Sequence, residues 1–165
     1  IPQIKQRYGF DIAVFRPDES AVAAYAAAHG RDGFYEGVAQ RKLCCNIRKV
    51  EPLGRALTGR NAWISGQRRE QAVTRGALAE AEHDAERNMQ KYNPLADWAW
   101  ADVLAYAERF DIPMNALYAR GYVSIGCEPC TKAIRPGEDP RAGRWWWENQ
   151  DSKECGLHTT SLTSR

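Results

Sequence analysis

The amino-acid sequence predicts an α/β fold, and three stretches in its first half carry that prediction. The apolar run Asp11–Phe15 indicates a buried strand. The alanine-rich stretch Glu19–His29 follows as a helix, with Asp18 placed to cap its start and Gly30 placed to end it. The run Ala62–Gly66 indicates a second buried strand. Strands that alternate with capped helices are typical of proteins in which helices cover a sheet.

The rest of the chain divides into helical and irregular parts. Residues Phe34–Leu57 are predicted to be helical with a break at Pro52, and Asp97–Phe110 fits a further helix. The acidic stretch Glu80–Glu86 is expected to be solvated surface without a functional role. Glycine and proline recur and the periodicity fades in the last part of the chain, so we predict a loop-rich segment over Met114–Arg165.

The composition is that of an ordinary folded domain. The chain has 165 residues, of which 44% are apolar and 27% charged, and this suffices for one domain with its own core. A net charge of +2 is too small to indicate a nucleic-acid partner by itself. We expect no signal peptide and no membrane segment, since no apolar run approaches roughly 20 residues. Five cysteines suit thiolate ligation better than paired disulfides, so we predict a cytoplasmic protein.

Four of the cysteines form two pairs that could hold a metal or a cluster. Cys44 and Cys45 are adjacent, whereas Cys127 and Cys130 form a Cys-x-x-Cys motif far along the chain. Structural zinc sites usually separate paired ligands by two or more residues, and an iron–sulfur cubane spreads its ligation points over four irons. The spacing therefore favours a cluster over zinc. Buried cysteines that act as small apolar residues are the third alternative.

Cationic residues accompany the first cysteine pair and the second strand. Lys49 lies four residues after Cys45, where it is either a solvated helix residue or a cation beside the site that can reach an anion. Ligands bind at strand ends in many α/β sheets, and a basic cluster follows the strand at Ala62–Gly66. Its members are Arg68, Arg69 and Arg75.

A second pair of arginines precedes a block of tryptophans. Arg141 and Arg144 lie three residues apart, directly before Trp145–Trp147. Their guanidinium groups match the geometry of phosphate and sulfate oxygens, which indicates an anion site. Stacking of the same groups on the indole rings is the structural alternative.

The fifth cysteine, Cys155, has no partner cysteine nearby in the sequence. Lys153 and His158 flank it, and cationic neighbours stabilise a thiolate, which is the nucleophilic form of the side chain. Cys155 is therefore a candidate catalytic residue, with an ordinary tail cysteine as the alternative. His158 is equally consistent with a surface histidine.

Several motifs, spread over nearly the whole chain from about Tyr8, form a specific combination. They are Arg41-Lys42-Leu43-Cys44-Cys45, Trp63-Ile64-Ser65-Gly66-Gln67-Arg68-Arg69, Tyr92-Asn93-Pro94-Leu95, Gly126-Cys127-Glu128-Pro129-Cys130-Thr131, Gly143-Arg144-Trp145-Trp146-Trp147-Glu148 and Lys153-Glu154-Cys155-Gly156-Leu157-His158. Together they resemble the assimilatory adenylyl-sulfate (APS) reductases, within the phosphoadenylyl-sulfate reductase family.

The resemblance implies a Rossmann-like fold of the adenine-nucleotide alpha hydrolase (ATP-pyrophosphatase-like) type, with a parallel sheet flanked by helices. Residues 1–120 are then the C-terminal part of the α/β domain with the Cys-Cys half-site. Residues 121–165 add the Cys-x-x-Cys half-site, the Arg/Trp loop and the catalytic-cysteine tail of the same domain. Family members begin with a strand and a Ser-Gly-Gly-like phosphate loop, followed by a Leu-Asp-Thr-Gly motif. Neither occurs here, so we expect the C-terminal two-thirds of the enzyme.

The same resemblance implies reduction of adenosine 5′-phosphosulfate to sulfite and AMP. The Cys155 thiolate would attack the sulfate sulfur, and thioredoxin or glutaredoxin would release sulfite from the S-sulfonated cysteine. A [4Fe–4S] cluster would be ligated by Cys44, Cys45, Cys127 and Cys130. The substrate would be bound by Lys49, Arg75, Arg141, Arg144 and His158. We further expect a separate reductant protein, a homo-oligomer, and neither nucleic acid nor membrane as partner.

Three other functions compete with this interpretation. A PAPS reductase acts on the 3′-phosphorylated substrate, but such enzymes commonly lack the four cluster cysteines. A tRNA-thiolating, ATP-pyrophosphatase-like protein with a cluster is less consistent with the Glu154–His158 motif. A zinc-stabilised module could use its arginines and tryptophans on nucleic acid without catalysis. Iron content separates the last alternative from the reductases.

Overall fold

The computed structural model describes residues 1–149, 153, 156 and 157 of the chain. Internal contacts divide the chain into two units, each assembled from separate stretches. The first unit comprises Ile1–Val14, Gly66–Ala79 and Asn93–Trp146. The second unit comprises Phe15–Ser65, Glu80–Tyr92 and Trp147–Arg165. Helices and a small sheet are both present, so the α/β class predicted from the sequence is confirmed.

The second unit begins with the helix that the sequence predicted most clearly. Helix α2 spans Glu19–His29, and the Asp18 carboxylate accepts a hydrogen bond of 2.8 Å from the amide of Ala21. This bond satisfies one of the amides that the first turn of a helix leaves without a partner. Gly30 ends α2 with a φ of 77°, a backbone conformation that glycine adopts without steric penalty. Both predicted boundaries are confirmed.

Helices α3 (Val38–Cys45) and α4 (Glu51–Leu57) follow, joined by a π-helical turn over Asn46–Val50. The predicted break at Pro52 is wrong, because Pro52 lies inside the first turn of α4. Proline lacks an amide hydrogen, and its ring clashes with the carbonyl four residues earlier in a regular α-helix. The wider π-helical turn directly before Pro52 accommodates that clash, so the irregularity falls between Cys45 and Pro52.

The sheet of the second unit is mixed. Strand β1 (Ala62–Ile64) is parallel to β3 (Met89–Tyr92), and β2 (Ala81–Asp84) is antiparallel to β3, in the order β1-β3-β2. The strand predicted at Ala62–Gly66 is confirmed over its first three residues, but of these three only Trp63 is buried as predicted. The acidic stretch Glu80–Glu86 contains β2 and is mostly exposed, as predicted, except at Asp84, which is buried. The parallel sheet that the resemblance implies is therefore corrected to a mixed one, with one parallel and one antiparallel pair.

Asp84 anchors the turn between β2 and β3. Its carboxylate accepts 2.9 Å and 3.2 Å hydrogen bonds from the Arg87 side chain and amide. Burial alone raises the pKa of Asp84, but the bonds from Arg87 outweigh burial and hold that pKa below its usual value. Because the folded state has the lower pKa, the stabilisation is complete above about pH 4 and is lost as pH falls through the folded pKa.

We therefore expect Asp84→Asn to lower the free energy of unfolding by about 1–3 kcal/mol at neutral pH. The difference from the parent protein should shrink as the pH falls below about 4, because Asp84 is increasingly protonated there and loses its negative charge. Urea unfolding at neutral pH and at about pH 3 measures both values. Glu86→Gln is the matched control, because Glu86 is half exposed and lies 3.7 Å from the same Arg87. An effect of Asp84→Asn that does not depend on pH contradicts the assignment.

The first unit contains helix α1 (Pro2–Tyr8), helix α5 (Trp100–Arg109) and long irregular stretches. Helix α5 confirms the helix predicted over Asp97–Phe110. The described residues after Met114 form only short 3₁₀ turns and one isolated β-bridge, as the loop-rich prediction requires. Among the described residues, no helix is long and apolar enough to cross a bilayer.

The buried strand predicted at Asp11–Phe15 is wrong. These residues belong to no strand, and their side chains are exposed, Val14 by 61%. An apolar run forms a strand only when a second strand bonds to its edge, and the described sheet pairs β3 with β1 and β2 alone. The sequence of this stretch is apolar, but an apolar run does not show whether a second strand is available to pair with it.

Candidate functional site

The Cys-x-x-Cys motif of the first unit forms a tight turn that is closed by hydrogen bonds. Glu128–Cys130 form a 3₁₀ turn, and the amide of Cys130 donates to the carbonyl of Cys127 at 2.9 Å. The Thr131 hydroxyl donates to the same carbonyl at 2.8 Å and accepts from the amide of Gly126 at 3.0 Å. Cys130 at the end of this turn is buried, and Cys127 directly before it is half-buried.

The arginine–tryptophan loop is bonded directly to this turn. Thr131 and Arg144 form an antiparallel β-bridge, and the amide of Lys132 donates to the carbonyl of Gly143 at 2.9 Å. The amide of Trp145 donates to the carbonyl of Cys130 at 3.3 Å. The second cysteine pair and the second arginine pair, which the sequence suggested separately, therefore form one cluster.

Arg141 and Arg144 both stack on the indole of Trp145. Their guanidinium carbons lie 5.7 Å and 4.5 Å from the Trp145 ring centroid, and Trp145 is almost fully buried. Arg144 also donates from Nη1 to the carbonyl of Ile125 at 3.2 Å. Stacking uses the face of a guanidinium, whereas anions bind its edge, so packing and anion binding are compatible. The structure shows the packing, and anion binding stays a prediction.

Gly126 permits the close approach of Arg144 to the cysteine turn. A Cβ atom at Gly126 would lie 2.2 Å from Nη2 of Arg144, well inside the contact distance. The guanidinium therefore lies directly on the backbone that precedes Cys127. This arrangement puts a permanent positive charge next to one cysteine pair.

The tandem cysteines lie in the second unit, at the C-terminal end of α3. Cys45 is buried and Cys44 half-buried, and Lys49 follows in the π-helical turn as a half-buried residue. Arg41, one helical turn before Cys45, is within hydrogen-bonding reach of that thiol. Burial alone lowers the pKa of Arg41, but its bonds to the Glu148 carboxylate outweigh burial and raise that pKa. The tandem pair thus has a fixed buried cation beside it.

Cys155 and His158 lie outside the described residues, but two neighbours of Cys155 are described. Lys153 is buried, with 7% of its surface exposed. Gly156 has a φ of 80°, and a Cβ atom there would lie 3.9 Å from Cγ2 of Val50. Gly156 therefore lies against the residue that follows Lys49, in the same unit as the tandem cysteines.

The basic cluster after β1 belongs to the first unit. Arg75 donates from Nη1 to Oε1 of Gln71 at 2.6 Å. Arg68 is 7% exposed, and its guanidinium carbon lies 5.0 Å from the Trp100 ring centroid. Its Nε and Nη1 atoms are buried and have no hydrogen-bond partner among the described residues. Burial lowers the pKa of this guanidinium. Arg68 is thus a buried, stacked cation, and anion binding there stays a prediction from its place in the basic cluster.

The two cysteine pairs belong to different units. Their four thiols are free of disulfides, as a ligand set must be. Among the described residues, no group of three or more His, Cys, Asp or Glu side chains is gathered as a metal site. The donor set is nevertheless chemically suited to an iron–sulfur cluster, for which four cysteine thiolates are the usual ligands.

Comparison with known proteins identifies the family. Residues 1–133 match the family model described as the phosphoadenosine phosphosulfate reductase domain. The chain belongs to this family. Within it, the chain is 62% identical over 163 residues to the adenosine 5′-phosphosulfate reductase of Burkholderia cepacia, covering 99% of this chain and 65% of that protein. It is 54% identical over 158 residues to the enzyme of the same name from Agrobacterium fabrum, covering 96% and 61%.

A solved structure of the same family supports the fold. The phosphoadenylyl-sulfate (PAPS) reductase of Candida auris, solved as a phosphate complex, matches with a TM-score of 0.61 and 29% identity. The match covers 81% of this chain and 62% of that one. The chain therefore spans roughly two-thirds of the length of its family relatives.

Proposed function

We propose that this chain is part of an enzyme that reduces adenosine 5′-phosphosulfate to sulfite and AMP in sulfate assimilation. The observation that carries the proposal is the 62% identity, over 99% of the chain, to an adenosine 5′-phosphosulfate reductase. The chain corresponds to 65% of that relative, so the activity is proposed for the whole protein of which this chain is a part.

Cys155 is the proposed nucleophile. Its thiolate attacks the sulfur of the sulfate group, the bond from that sulfur to the phosphate oxygen breaks, and AMP leaves with the electron pair. The product is an S-sulfonated cysteine. A dithiol protein, thioredoxin or alternatively glutaredoxin, then attacks the Cys155 sulfur and releases sulfite. Its second thiol resolves the mixed disulfide, so the dithiol is oxidised to a disulfide and Cys155 returns as a thiol.

The phosphosulfate group carries negative charge in both the substrate and the transition state, so fixed cations are its natural ligands. The proposed set is Lys49, Arg75, Arg141, Arg144 and His158. The packing of Arg141 and Arg144 on Trp145 supports this role, because stacked guanidinium groups are preorganised before the substrate arrives. Arg68 adds a buried cation in the cluster of Arg75.

The proposed cofactor is a [4Fe–4S] cluster. Its ligands would be Cys44, Cys45, Cys127 and Cys130. When bound, such a cluster would supply electrostatic stabilisation and positioning near the substrate. Around it, Arg41 orients Cys45, and the Arg144–Gly126 contact fixes the loop before Cys127. Reduced thiols of this kind are consistent with a cytoplasmic protein. A homo-oligomer is proposed as well.

PAPS is the second candidate substrate, and the match to the Candida auris PAPS reductase is the observation in its favour. The higher identity to proteins named for the substrate without the 3′-phosphate favours APS. Comparing kcat/KM for the two sulfonucleotides on the full-length protein decides between them. A higher value for PAPS reverses the assignment.

Metal analysis of the anaerobically purified full-length protein tests the cofactor. We expect about four irons and four acid-labile sulfides per chain. Cys127→Ser should lower the iron content severely, because it removes one of four thiolate ligands. Cys155→Ser is the matched control and should keep its iron, since Cys155 is not among the proposed ligands. One zinc per chain without sulfide rejects the cluster in favour of a structural zinc site.

A further inference from the structure

We propose that Arg41 is a positioning residue that fastens the segment Trp147–Glu148, and with it the tail that carries Cys155, to the helix of the tandem cysteines. The inference rests on the proposed function for its catalytic consequence. Its structural part concerns the second unit alone, to which all of these residues belong.

The ion pair between Arg41 and Glu148 is bidentate, a geometry that fixes both partners more specifically than a single hydrogen bond does. Nε of Arg41 donates to Oε1 of Glu148 at 2.8 Å, and Nη2 donates to Oε2 at 2.8 Å. Two parallel bonds fix the orientation of the carboxylate as well as its distance. The partners lie 107 residues apart in the sequence, so the pair joins helix α3 to the last part of the chain.

Both side chains of this pair are removed from water. The Arg41 side chain is 0% exposed and the Glu148 side chain 4%. A buried charge that loses its partner stays in an apolar environment without compensation, which is strongly unfavourable. Glu148 therefore cannot leave Arg41 unless the surrounding structure opens. The same pair on the surface would be weak and would hold nothing in place.

Two further contacts hold the segment on either side of this ion pair. The Trp147 ring meets the Tyr35 ring edge-on, with centroids 4.4 Å apart, and its centroid lies 6.3 Å from that of Phe34. Beyond Glu148, Gly156 lies against Val50. The chain is thus held before and after the stretch 149–155, which ends at the proposed nucleophile.

Arg41 also interacts with one of the tandem cysteines, Cys45. It lies one helical turn before Cys45 on α3, and its guanidinium reaches the Cys45 thiol as well as the Glu148 carboxylate. A single side chain therefore contacts both a proposed cluster ligand and the tail segment. This geometry makes Arg41 the physical link through which the position of the tail depends on the cysteine half-site.

Limited trypsin digestion of the full-length protein tests the fastening. Lys153 is buried, so cleavage after it reports release of the tail. In Arg41→Met and Glu148→Gln we expect the peptide of residues 154–165 to appear at least about tenfold faster, by mass spectrometry, with Arg41→Lys between these variants and the parent. Lys42→Met is the matched control, because Lys42 is an exposed neighbour on the same helix.

Steady-state kinetics on the same variants test the catalytic consequence. We expect kcat with APS to fall about 10- to 100-fold while KM changes by less than about threefold, because misplacement of a reacting group affects the chemical step more than substrate binding. Lys42→Met should retain its activity. Arg41→Lys should recover part of kcat, since it keeps the charge but not the two-pronged geometry.

Two results overturn the proposal. One is unchanged release of the peptide in both Arg41→Met and Glu148→Gln. The other is faster release that only parallels faster cleavage throughout the chain, which would mean global unfolding. Failure of the proposed function is recognised separately, as a parent protein that is inactive towards both sulfonucleotides. The digestion still decides the fastening in that case.

Discussion

Replacement of Cys155 by serine is expected to abolish sulfite formation from adenosine 5′-phosphosulfate. The serine hydroxyl is a far weaker nucleophile than a thiolate, and it cannot form the S-sulfonated intermediate that a dithiol resolves. The rate should fall by at least about 10³-fold, since loss of a covalent nucleophile is among the most damaging changes to an enzyme. Sulfite release by the full-length protein, with thioredoxin present, measures the effect.

The intermediate itself provides the complementary measurement. Parent protein mixed with the substrate in the absence of a dithiol should gain one SO₃ group on the peptide that contains Cys155, and thioredoxin should remove it. Cys155→Ser should gain none, while its affinity for AMP stays near that of the parent, because the proposed anion ligands are intact. Sulfonation of a different cysteine, or turnover by the serine variant, refutes the assignment.

Gly143→Ala is expected to disrupt the loop cluster of the first unit. A Cβ atom at this position would lie 2.2 Å from the carbonyl oxygen of Lys132, a backbone atom that cannot rotate away. Relief of the clash requires the strand bridge to separate, which breaks the 2.9 Å bond from the Lys132 amide to the Gly143 carbonyl. We expect a loss of about 3 kcal/mol in the free energy of unfolding, together with a lower iron content of the purified protein.

Gly54→Ala is the matched control for this substitution. Gly54 lies in α4, and a Cβ atom there meets no other atom within 4 Å. Alanine should therefore raise the stability by up to about 1 kcal/mol, since it is the better helix former. Urea unfolding of both variants gives the two values. Similar small effects at the two glycines would show that the loop cluster is not packed as tightly as described.

The sequence predicted those elements whose determinants are local. Helix α2 was correct at both ends because a capping aspartate and a terminating glycine act within a few residues. The strand at Asp11–Phe15 was wrong because strands depend on distant partners. The hairpin of β2 and β3 was missed for a related reason. Its turn contains neither glycine nor proline, and Asn88, with a φ of 50°, provides the backbone reversal instead.

The candidate site shows the same division. The two cysteine pairs and the arginine pair were recognised because each pair is close in the sequence. The structure then joined Thr131, the residue after Cys130, to Arg144 through a β-bridge, and it showed both arginines of that pair on Trp145. The sequence placed Arg41 in a motif but did not predict its ion pair, because the partner carboxylate lies 107 residues away. Such pairings follow from the fold and not from spacing.

Because the Arg41–Glu148 pair is buried, its strength should not depend on the ionic strength of the medium. An exposed pair such as Lys5–Asp11, with side chains 62% and 74% exposed, is weakened by dissolved salt, whose screening length is about 10 Å at 0.1 M. Mobile ions cannot enter between two side chains from which water is excluded. We therefore expect added salt to weaken binding of the proposed anionic nucleotide and to leave the Arg41–Glu148 pair intact.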